Sequence, residues 1–462
     1  MKHFHFIGIG GTGLSAIARV LLERGAQVSG SDLVLSPNAQ ELAAMGVKVT
    51  IGHAQENIAG ADIVIRSSAI PPENIEIVTA IAKGIPVMKR SQFLGELTYG
   101  KKVIAVAGTH GKTTTSAMIT WALTRLGQDP SYIVGSEVKN LKSNAHNGNG
   151  EYFVIEADEY DGMFLGLTPY LLIITNIEHD HPDYYPTPES YYAAFSQLCD
   201  LITREGRLIA NSDNINTHHL AEAVRMRTPI HFYGESVDAE YRIMQIRNEE
   251  GCGVSFDMKF ENSDGDGFIL PNITLQVPGK HNAQNAGAVI ACAHQLGLSV
   301  SDAALALEEF AGTGRRFDIR GENQGVLVID DYAHHPTEIR ATLAAARCKY
   351  SHRSIWVVWQ PHTYSRTQQL FDEFSQSFTD CDHVIVTEVY ASREKPRDFS
   401  AREVVLSMRH PDAHFIAGLR ECADFLLQNI HPGDVVIVLS AGDANQISTW
   451  ILNEFKPVVK HA

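Results

Sequence analysis

A strand, a glycine loop and a helix follow one another from residue 101, in KKVIAVAGTHGKTTTS, and this order constrains the fold more than any other stretch. The β-branched apolar run at 102–107 predicts a buried parallel strand, and the apolar periodicity after Ser116 predicts a helix. Backbone N–H groups of the loop and the positive end of the helix face the same point, where they can hold a phosphate group. The stretch therefore predicts an α/β domain that binds a nucleotide.

The polar residues of this loop have distinct expected roles. Lys112 is placed to reach the terminal phosphates, and the hydroxyl of Thr113 can ligate Mg²⁺. The general pattern G-x-x-x-x-G-K-[ST] has glycine where this chain has Val106, so the loop is the shorter G-T-x-G-K-T-T variant. A turn without a ligand is the alternative, and the strand and helix on either side disfavour it. The predicted cofactor-binding residues of the loop are Gly108, Thr109, His110, Gly111, Lys112, Thr113 and Thr114.

Chain length and charge limit the classes of protein to which this sequence can belong. At roughly 150 residues per domain, 462 residues indicate about three domains. The net charge of -16 argues against general affinity for nucleic acid or for anionic membranes. An anionic substrate must then be held by local positive groups.

Cysteine spacing and hydropathy both favour a cytoplasmic protein. The six cysteines, Cys252 among them, show no C-x-x-C spacing, which suggests neither a disulfide framework nor a zinc site. No apolar run approaches the ~18 residues of a membrane span, so we expect no membrane insertion. The chain begins with a strand and a glycine turn rather than with a signal peptide.

A second glycine turn opens the chain, in HFHFIGIGGTGLSAIARVLLERGAQVSGSD. Gly8, Gly10 and Gly13 form the pattern G-x-G-x-x-G, and Asp32 ends the next predicted strand, 22 residues after Gly10. Such a turn brings backbone N–H groups to a pyrophosphate, and the carboxylate can reach a ribose or a base. Alone, the motif indicates a nucleotide diphosphate, with NAD as the default interpretation and a structural turn as the alternative. The predicted substrate-binding residues here are Gly10, Gly11, Gly13 and Asp32.

Further β/α units complete the first predicted domain, residues 1–100. Ser67, Ser68 and Arg90 stand at the predicted carboxyl ends of strands, where open α/β sheets bind ligands. We predict that Ser67 and Ser68 bind substrate, with helix capping or plain surface exposure as the alternative. A Gly-Lys-Lys break at 100–102 marks the boundary before the phosphate-loop strand.

Two strands of the central predicted domain, residues 101–313, each end in a cluster of acids. They are GEYFVIEADEYDG at 150–162 and PYLLIITNIEHDHPDYY at 169–185. Parallel strands deliver such tails to the sheet edge that carries the phosphate loop. Because Mg²⁺ on ATP needs oxygen or imidazole ligands there, we predict Glu156, His181 and Thr113 as metal ligands. Alternating polar and apolar runs at 236–275 predict an antiparallel β extension.

The sequence GTGRRFDIRGE marks the start of the third predicted domain, residues 314–462. Arg315 and Arg316 stand at this hinge, where an arginine could reach the γ-phosphate of ATP on domain closure; exposed linker charges are the alternative. The strand-like runs GVLVIDD, SIWVVWQ, HVIVTEV and VVIVLSAG alternate with helical stretches and predict another doubly wound sheet. A metal site at His334 and His335 is disfavoured, because consecutive residues in a turn point apart.

Seven motifs occur in order along the chain: GTHGKTTT, EADEYD, TNIEHDHPD, PGKHNAQNAGA, GTGRRFD, DDYAHHPTEIRATL and QPHTYSRT. Their order resembles the Mur ligase family of peptidoglycan synthesis, and the resemblance extends from His5 to about Gly442. The opening GIGG-x-G, the SSAI segment and DDY-x-HHPTEI are similar to members that add L-alanine. The resemblance implies three α/β domains: a Rossmann-like UDP-binding domain, a central P-loop ATPase-like domain and a C-terminal Rossmann-like domain that binds the amino acid.

The resemblance also implies an activity. Such a ligase transfers the γ-phosphate of ATP, with Mg²⁺, to the lactyl carboxylate of UDP-N-acetylmuramate, and the amine of L-alanine then attacks the acyl phosphate. A carboxylate is a poor electrophile, and the mixed anhydride supplies the leaving group. The protein's task is then positioning and charge neutralisation, for which Lys112, His181 and Arg316 are the candidates. A monomer or a homodimer is compatible with the sequence.

Ligand contacts of further residues also follow from the resemblance. It implies that Asn282 and Asn285 hold the adenine, although an N-cap role for Asn282 stays open. It assigns the ATP ribose to an aspartate for which we favour Asp331 over Asp330. Tyr332, in the same motif, is counted with the substrate-binding residues.

The acceptor amino acid is the least determined part of the interpretation. His362 and Arg366 resemble the residues that hold the carboxylate of L-alanine. The family usually has a second arginine where this chain has Thr363, which leaves L-serine, glycine or a short peptide open. Residues 191–202 contain no lysine, and this resembles the alanine-adding members, which lack a carbamylated lysine.

Three competing interpretations remain. An NAD-dependent oxidoreductase would explain the turn from Gly8 to Asp32 but not the phosphate loop or the third domain. A nucleotide-gated sensor would keep the phosphate loop without chemistry, and the presence of all the predicted catalytic groups disfavours it. A recycling ligase that joins a muropeptide tripeptide to UDP-N-acetylmuramate ranks second, because that enzyme tends to have cysteine where this chain has Gly10.

Overall fold

The computed structural model describes residues 1–248, 253–261 and 267–456, and within these residues the chain forms three β-sheets flanked by helices. Cys252, part of the predicted β extension and the last six residues of the third predicted domain lie outside the described residues. Across the described ranges, no helix has both the length and the apolar character needed to cross a bilayer.

The first sheet is parallel, with strand order β3-β2-β1-β4-β5. Its strands are β1 (His3–Ile7), β2 (Gln27–Asp32), β3 (Lys48–Ile51), β4 (Ile63–Arg66) and β5 (Val87–Lys89). Its helices are α1 (Thr12–Glu23), α2 (Pro37–Ala44), α3 (Ile75–Ala82) and α4 (Arg90–Thr98). The strand order reverses between β1 and β4, so the glycine turn after β1 lies at the switch point where such sheets bind ligands.

The phosphate-loop strand lies in the interior of the second sheet, whose order is β15-β14-β13-β12-β11-β10-β6-β9-β7-β8. The strands are β6 (Lys102–Ala107), β7 (Ser131–Val138), β8 (Ser143–His146), β9 (Tyr152–Glu156), β10 (Leu171–Ile174), β11 (Arg207–Asn211), β12 (Ile230–Gly234), β13 (Tyr241–Asn248), β14 (Val254–Phe260) and β15 (Phe268–Leu275). The helices are α5 (Lys112–Arg125), α6 (Pro188–Asp200), α7 (Ile215–Val224), α8 (Lys280–Gln295) and α9 (Val300–Glu308), with a 3₁₀ helix at Tyr160–Gly166.

Two features of the second sheet matter for the site. The strands that end in acids, β9 and β10, pair in parallel with β6 on its two sides. Both acidic segments therefore leave the sheet beside the phosphate loop, as the sequence predicted. Strands β13, β14 and β15 pair antiparallel, which confirms the predicted β extension over the described residues.

The third sheet has the order β16-β17-β21-β18-β19-β20. Its strands are β16 (Asp318–Asn323), β17 (Val326–Asp331), β18 (Ile355–Gln360), β19 (His383–Val386), β20 (Ala413–Phe415) and β21 (Val435–Ser440). Its helices are α10 (Pro336–Lys349), α11 (Tyr364–Gln369), α12 (Phe371–Ser375), α13 (Arg402–Ser407), α14 (Leu419–Asn429) and α15 (Asn445–Glu454).

The sequence analysis missed the two edge strands of this third sheet, β16 and β20. The antiparallel strand β16 reads DIRGEN, a polar sequence that is largely exposed, and β20 is only three residues long. Neither strand has the apolar run that identified the four interior strands. The three-domain α/β architecture is confirmed.

A buried carboxylate lies beneath the first sheet, outside the nucleotide site. Glu76 on α3 is fully buried, and its carboxylate accepts hydrogen bonds from the Ser31 hydroxyl at 2.6 Å and the Asn57 amide at 2.6 Å. His5 Nε2 lies 3.3 Å from the same carboxylate. Burial raises the pKa of Glu76, but the hydrogen bonds from His5, Ser31 and Asn57 outweigh burial and bring the pKa from 4.5 to about 2.

Replacing this carboxylate should destabilise the first domain in a pH-dependent way. We expect Glu76→Gln to lower the free energy of unfolding at pH 7 by about 1–3 kcal/mol, because the groups that donate hydrogen bonds to the Glu76 carboxylate lose their charged acceptor. The depressed pKa stabilises the fold above pH 4.5, and this contribution is lost as the pH falls toward 2. Urea unfolding at pH 7 and pH 3.5 should therefore show a smaller gap between wild type and variant at the lower pH. Glu73→Gln, at an exposed neighbouring position, is the control. A difference in the free energy of unfolding between wild type and Glu76→Gln that is the same at both pH values would contradict the depressed pKa of Glu76.

Candidate active site

The phosphate loop is held in shape by the end of the neighbouring strand β10. Gly108 and Gly111 have φ of +133° and +82°, which favour glycine, and a Cβ on Gly108 would collide with the Thr175 hydroxyl. Thr175 Oγ1 donates to the carbonyl of His110 at 2.6 Å, and Asn176 Oδ1 accepts from the His110 N–H at 2.9 Å. Because Gly111 is the N-cap of α5 and has no side chain, the first-turn N–H groups face outward for an anion.

Lys112 folds back over the loop and pairs with a buried acid. Its Nζ donates to the carbonyl of Gly108 at 2.6 Å and lies 2.8 Å from Glu159 Oε2. Burial lowers the pKa of Lys112, but the charge and hydrogen bond of Glu159, together with the charges of Asp158 and Glu156, outweigh burial and raise it. Burial likewise raises the pKa of Glu159, while Lys112 and His181 bring it to about 2. Both groups are therefore charged at neutral pH.

Glu159 is not among the predicted metal ligands. The sequence EADEYD indicates an acidic cluster, but a run of acids does not show which carboxylate turns toward the loop. The three predicted metal ligands also divide into two places. Thr113 Oγ1 donates to Glu156 Oε1 at 2.9 Å, whereas His181 Nε2 lies 3.5 Å from Glu159 Oε1.

The donor groups around the loop suit a divalent cation. Glu159, Asp180 and His181 form a cluster whose potential ligand atoms lie within 4.8 Å of one another. Nδ1 of His181 is buried and has no hydrogen-bond partner, which is what an open ligand position looks like. Carboxylate, hydroxyl and imidazole groups are ligands that Mg²⁺ or Mn²⁺ accepts.

The adjacent histidines of the third domain face different groups, as predicted. His335 lies in a second cluster with His110 and Glu178, whose potential ligand atoms are also within 4.8 Å of one another. The ring of His334 contacts the Tyr332 carbonyl instead, at 2.8 Å from Nδ1. Only one of the two histidines therefore lies in a potential metal cluster among the described residues.

His110 connects the phosphate loop to the third domain. Its two ring nitrogens lie 3.2 Å from Glu178 of the central domain and 3.2 Å from Glu338 on α10. Burial lowers the pKa of His110, but hydrogen bonds with both carboxylates outweigh burial and raise it to about 9. The imidazole is therefore a cation between two carboxylates at neutral pH.

The hinge arginines both lie near the ring of the same tyrosine. The guanidinium carbons of Arg315 and Arg316 lie 4.9 and 5.0 Å from the ring centre of Tyr332. Arg315 donates to the carbonyl of Ser440 at 2.7 Å, within its own domain. Arg316 lies 3.6 Å from Glu338 and lines both of the cavities described next.

A cavity of about 290 Å³ lies between the phosphate loop, α8 and α10. The predicted cofactor-binding residues among its walls are His110, Gly111, Thr113, Thr114, Asn282, Asn285 and Asp331. The N-cap alternative for Asn282 is wrong, because α8 begins earlier, with Gly279 as its N-cap. The Asn282 amide donates to the carbonyl of Pro278 at 2.7 Å.

The structure separates Asp331 from Asp330. Asp331 lines this cavity, and its carboxylate accepts from the N–H groups of Phe317 and Ala333, both at 2.7 Å. Asp330 instead accepts a hydrogen bond from Ser448. Of the two aspartates, Asp331 is therefore the one that faces this cavity, and its contact with the ATP ribose stays a prediction.

A larger cavity of about 660 Å³ runs from the first domain to the phosphate loop. Its walls include Gly13 of the first domain, Thr113 and Glu156 of the second, and Arg316 and Tyr332 of the third. Thr113 and Arg316 are the residues that line both cavities, so the two cavities meet between them.

Arg90 is a functional candidate that the sequence analysis named without selecting. It lines the larger cavity on the side of the first domain and lies 3.6 Å from Asp158. A Cβ on Gly13 would collide with its guanidinium, which explains the last glycine of the turn. Its position directly after β5 was the signal that could have identified it.

Several predicted substrate residues of the first domain hold the protein itself together. Asp32 accepts from the N–H groups of Gly10 at 2.8 Å and Leu33 at 2.7 Å, so it fixes the glycine turn. The Ser68 hydroxyl donates to Asp161 at 2.7 Å. Of the predicted substrate residues in this domain, Gly13 is the one that lines the larger cavity, whereas Gly10, Gly11, Asp32, Ser67 and Ser68 are not among its described walls.

His362 and Arg366 lie in contact with each other, and Arg366 has a further partner that the sequence did not indicate. Arg366 Nη1 lies 3.0 Å from His362 Nδ1, and Nε donates to Asp180 Oδ1 at 2.8 Å. Burial, with help from the nearby charges of His334 and Arg366, lowers the pKa of His362 to about 2. The pair therefore consists of a neutral imidazole and a buried guanidinium that is 2% exposed.

Three family profiles match this chain in order. "Mur ligase family, catalytic domain" matches residues 3–102, "Mur ligase middle domain" matches 106–293, and "Mur ligase, glutamate ligase domain" matches 315–442. The chain is 40% identical to the UDP-N-acetylmuramate--L-alanine ligase of Geotalea uraniireducens over 99% of this chain and 98% of that protein. It is 41% identical to the protein of that name from Syntrophomonas wolfei over 98% and 97%.

Solved structures agree with these sequence matches. The UDP-N-acetylmuramate-alanine ligase of Thermotoga maritima superposes with a TM-score of 0.82 at 28% identity, covering 98% of this chain and 99% of that one. The murein peptide ligase of Psychrobacter arcticus gives 0.72 at 26% identity, covering 98% of each chain. Since the profiles cover most of the chain and the relatives match nearly its full length, the chain belongs to the Mur ligase family.

Proposed function

We propose that this chain is an ATP-dependent ligase that joins L-alanine to the lactyl carboxylate of UDP-N-acetylmuramate through an acyl phosphate, releasing ADP and phosphate. The observation that carries the proposal is the meeting of two cavities at Thr113 and Arg316. A reaction that moves a phosphoryl group between two bound substrates needs such a junction. The reaction would take place in the cytoplasm.

The smaller cavity suits ATP. Its phosphates would lie on the loop at Gly108–Thr114, and the adenine would contact the amides of Asn282 and Asn285, which line the wall on α8. The ribose would lie near Asp331. Arg316, at the junction, would face the γ-phosphate.

The larger cavity suits the sugar nucleotide. Its length runs from the glycine turn at Gly13 to Thr113, so the diphosphate would bind near the turn and near Arg90. The lactyl carboxylate would then lie at the junction, beside Arg316. Local cations hold this anionic substrate in a protein whose net charge is -16.

The residues of the chain mainly neutralise and position charge. Lys112 is held charged by Glu159 and would balance the charge on the transferring phosphate. We propose that Thr113, Glu156 and His181, which lie in two places beside the loop, would hold Mg²⁺, and that bound Mg²⁺ would supply further neutralisation of the β- and γ-phosphates. Burial of these groups strengthens each interaction, because little water screens them.

The acceptor would bind on the third domain. We propose that the carboxylate of the amino acid contacts His362 and Arg366, with its amine directed to the acyl phosphate. L-Alanine is favoured over the muropeptide tripeptide by the named relatives at about 40% identity and by the lower TM-score of the murein peptide ligase, 0.72 against 0.82. Because Thr363 replaces the second arginine that is usual in the family, L-serine and glycine are also tested as acceptors.

Phosphate release tests the reaction directly. The purified chain is incubated with ATP, Mg²⁺ and UDP-N-acetylmuramate, and with L-alanine, L-serine, glycine, the tripeptide or no acceptor. We expect release that requires both the sugar nucleotide and L-alanine. Release with the tripeptide alone would establish the recycling reaction instead, and nucleotide binding without any turnover would contradict a ligase.

Replacing Lys112 should strongly reduce turnover. We expect Lys112→Met to lower kcat by at least about 100-fold, because one preorganised charge at the transferring phosphate is lost. Lys102→Met is the matched control, since Lys102 lies on the adjoining strand and pairs with Glu151 at the surface. Equal kcat values for the two variants would rule out the proposed role of Lys112.

The cation at His110 should make the contact with the third domain depend on pH. Its raised pKa stabilises the folded chain below pH 6.5, and this contribution is lost as the pH rises through about 9. We expect His110→Gln to lower Tm at pH 6 and the difference from wild type to shrink by pH 10. Scanning calorimetry at pH 6 and pH 10 measures this difference in Tm. A difference that grows with pH would show that His110 is not the cation described here.

A further inference from the structure

One side chain of the third domain, Arg393, joins both acidic segments of the central domain. It lies between β19 and α13, and its Nε and Nη2 donate to the two carboxylate oxygens of Asp183 at 2.8 and 3.1 Å. Its guanidinium carbon lies 4.0 Å from the ring centre of Tyr160. The Tyr160 hydroxyl donates to Asp183 at 3.2 Å, so the three side chains form a closed triangle across the domain boundary.

Both partners of Arg393 adjoin groups of the phosphate site. Tyr160 follows Glu159, the acid that holds Lys112, and its ring centre lies 5.1 Å from that of His181. Asp183 comes two residues after His181. A movement of either partner would therefore move a group that faces the phosphates.

The backbone of His181 has an uncommon conformation, and its hydrogen bonds join it to Asp180, Tyr184 and Tyr185 of the same segment. Its φ is +54°, in the left-handed region that a residue with a Cβ seldom adopts. Such a conformation persists only where the surroundings hold it. The contacts of Arg393 with Asp183 and Tyr160 are part of those surroundings.

We propose that Arg393 is a positioning residue for phosphate transfer: by clamping Tyr160 and Asp183 it fixes Glu159 and His181, so that the phosphate site is complete only when the third domain is docked. The inference rests on the proposed function and adds a residue to it. Arg393 lines neither of the two cavities and touches no predicted ligand of the cation.

The geometry of the clamp requires arginine. A guanidinium can bond both oxygens of one carboxylate while its flat face lies on an aromatic ring. Lysine keeps the charge but provides a single donor point and a weaker ring contact. Arg393→Lys therefore removes the clamp and leaves the net charge of the protein unchanged.

A second arginine in the same connection provides a matched control. Arg397 contacts Glu394 at 3.3 Å and Gln368 at 3.2 Å, and both partners belong to the third domain. It resembles Arg393 in exposure and in sequence neighbourhood but makes no described contact with the central domain. Arg397→Lys should therefore leave the phosphate site as it is.

Nucleotide binding without turnover tests the proposal. The Kd of Mn²⁺ with a non-hydrolysable ATP analogue is measured by calorimetry for the full chain, followed by kcat and KM with all substrates. We expect Arg393→Lys to raise Kd and lower kcat, each by about tenfold, as the loss of one bidentate charged contact implies. Arg397→Lys should stay within twofold of wild type in both.

A further single variant and a double-mutant comparison distinguish the loss of this contact from a general folding defect. Tyr160→Phe keeps the ring under Arg393 and loses only the hydroxyl, so it should raise Kd less than Arg393→Lys does. The double variant Arg393→Lys with Asp183→Asn should be no worse than Arg393→Lys alone, because both changes remove one contact. The proposal is wrong if the increases in Kd caused by Arg393→Lys and Asp183→Asn multiply in the double variant. It is also wrong if Arg393→Lys has the wild-type Kd.

The binding experiment also separates this proposal from the proposed reaction. A tenfold change in Kd for Arg393→Lys supports the positioning role even if no acceptor yields product with the wild-type chain. Full ligase activity in Arg393→Lys, with an unchanged Kd, rejects the positioning role and leaves the reaction standing.

Discussion

A line of ionisable groups ties the phosphate loop to the third domain, and the rest of the site depends on it. Lys112 lies 2.8 Å from Glu159, Glu159 lies 3.5 Å from His181, His181 lies 3.7 Å from Asp180, and Asp180 lies 2.7 Å from Arg366. A buried charge without a partner costs roughly several kcal/mol, so Glu159 depends on Lys112 and Asp180 depends on Arg366, with the ring of His181 between the two carboxylates. The nucleotide site and the predicted acceptor site are therefore one electrostatic unit, although they belong to different domains.

The topology of the second sheet makes this line of charges possible. Because β6 lies between β9 and β10, both acidic segments reach the loop, and simple rules for parallel sheets predicted that much. The same rules could not predict whether Glu156 or Glu159 contacts Lys112. In a segment without regular structure, the direction of each side chain does not follow from its position in the sequence. They could not reveal the contact of Asp180 with Arg366 either, because the two residues are 186 positions apart and the domain arrangement alone brings them together.

The first domain shows where a motif determines the fold but not the ligand. The pattern from Gly8 to Asp32 correctly predicted strand, turn, helix and strand. In NAD-binding proteins of this kind the acid binds a ribose. Here both oxygens of Asp32 accept backbone N–H groups, from Gly10 and Leu33, so the acid stabilises the turn itself. Arg90, which no motif singles out, provides a cation on that side of the larger cavity.

The hinge gives the third domain control over the junction between the cavities. Arg315 has φ of +58°, and with this bend the two consecutive guanidinium groups lie against the same ring, that of Tyr332. The Tyr332 N–H also donates to the Arg315 carbonyl at 2.8 Å, which ties the hinge to the end of β17. Arg316 must therefore move with the third domain. Its positive charge would leave the junction if that domain moved away, so an acyl phosphate would form only where the acceptor site is already in place.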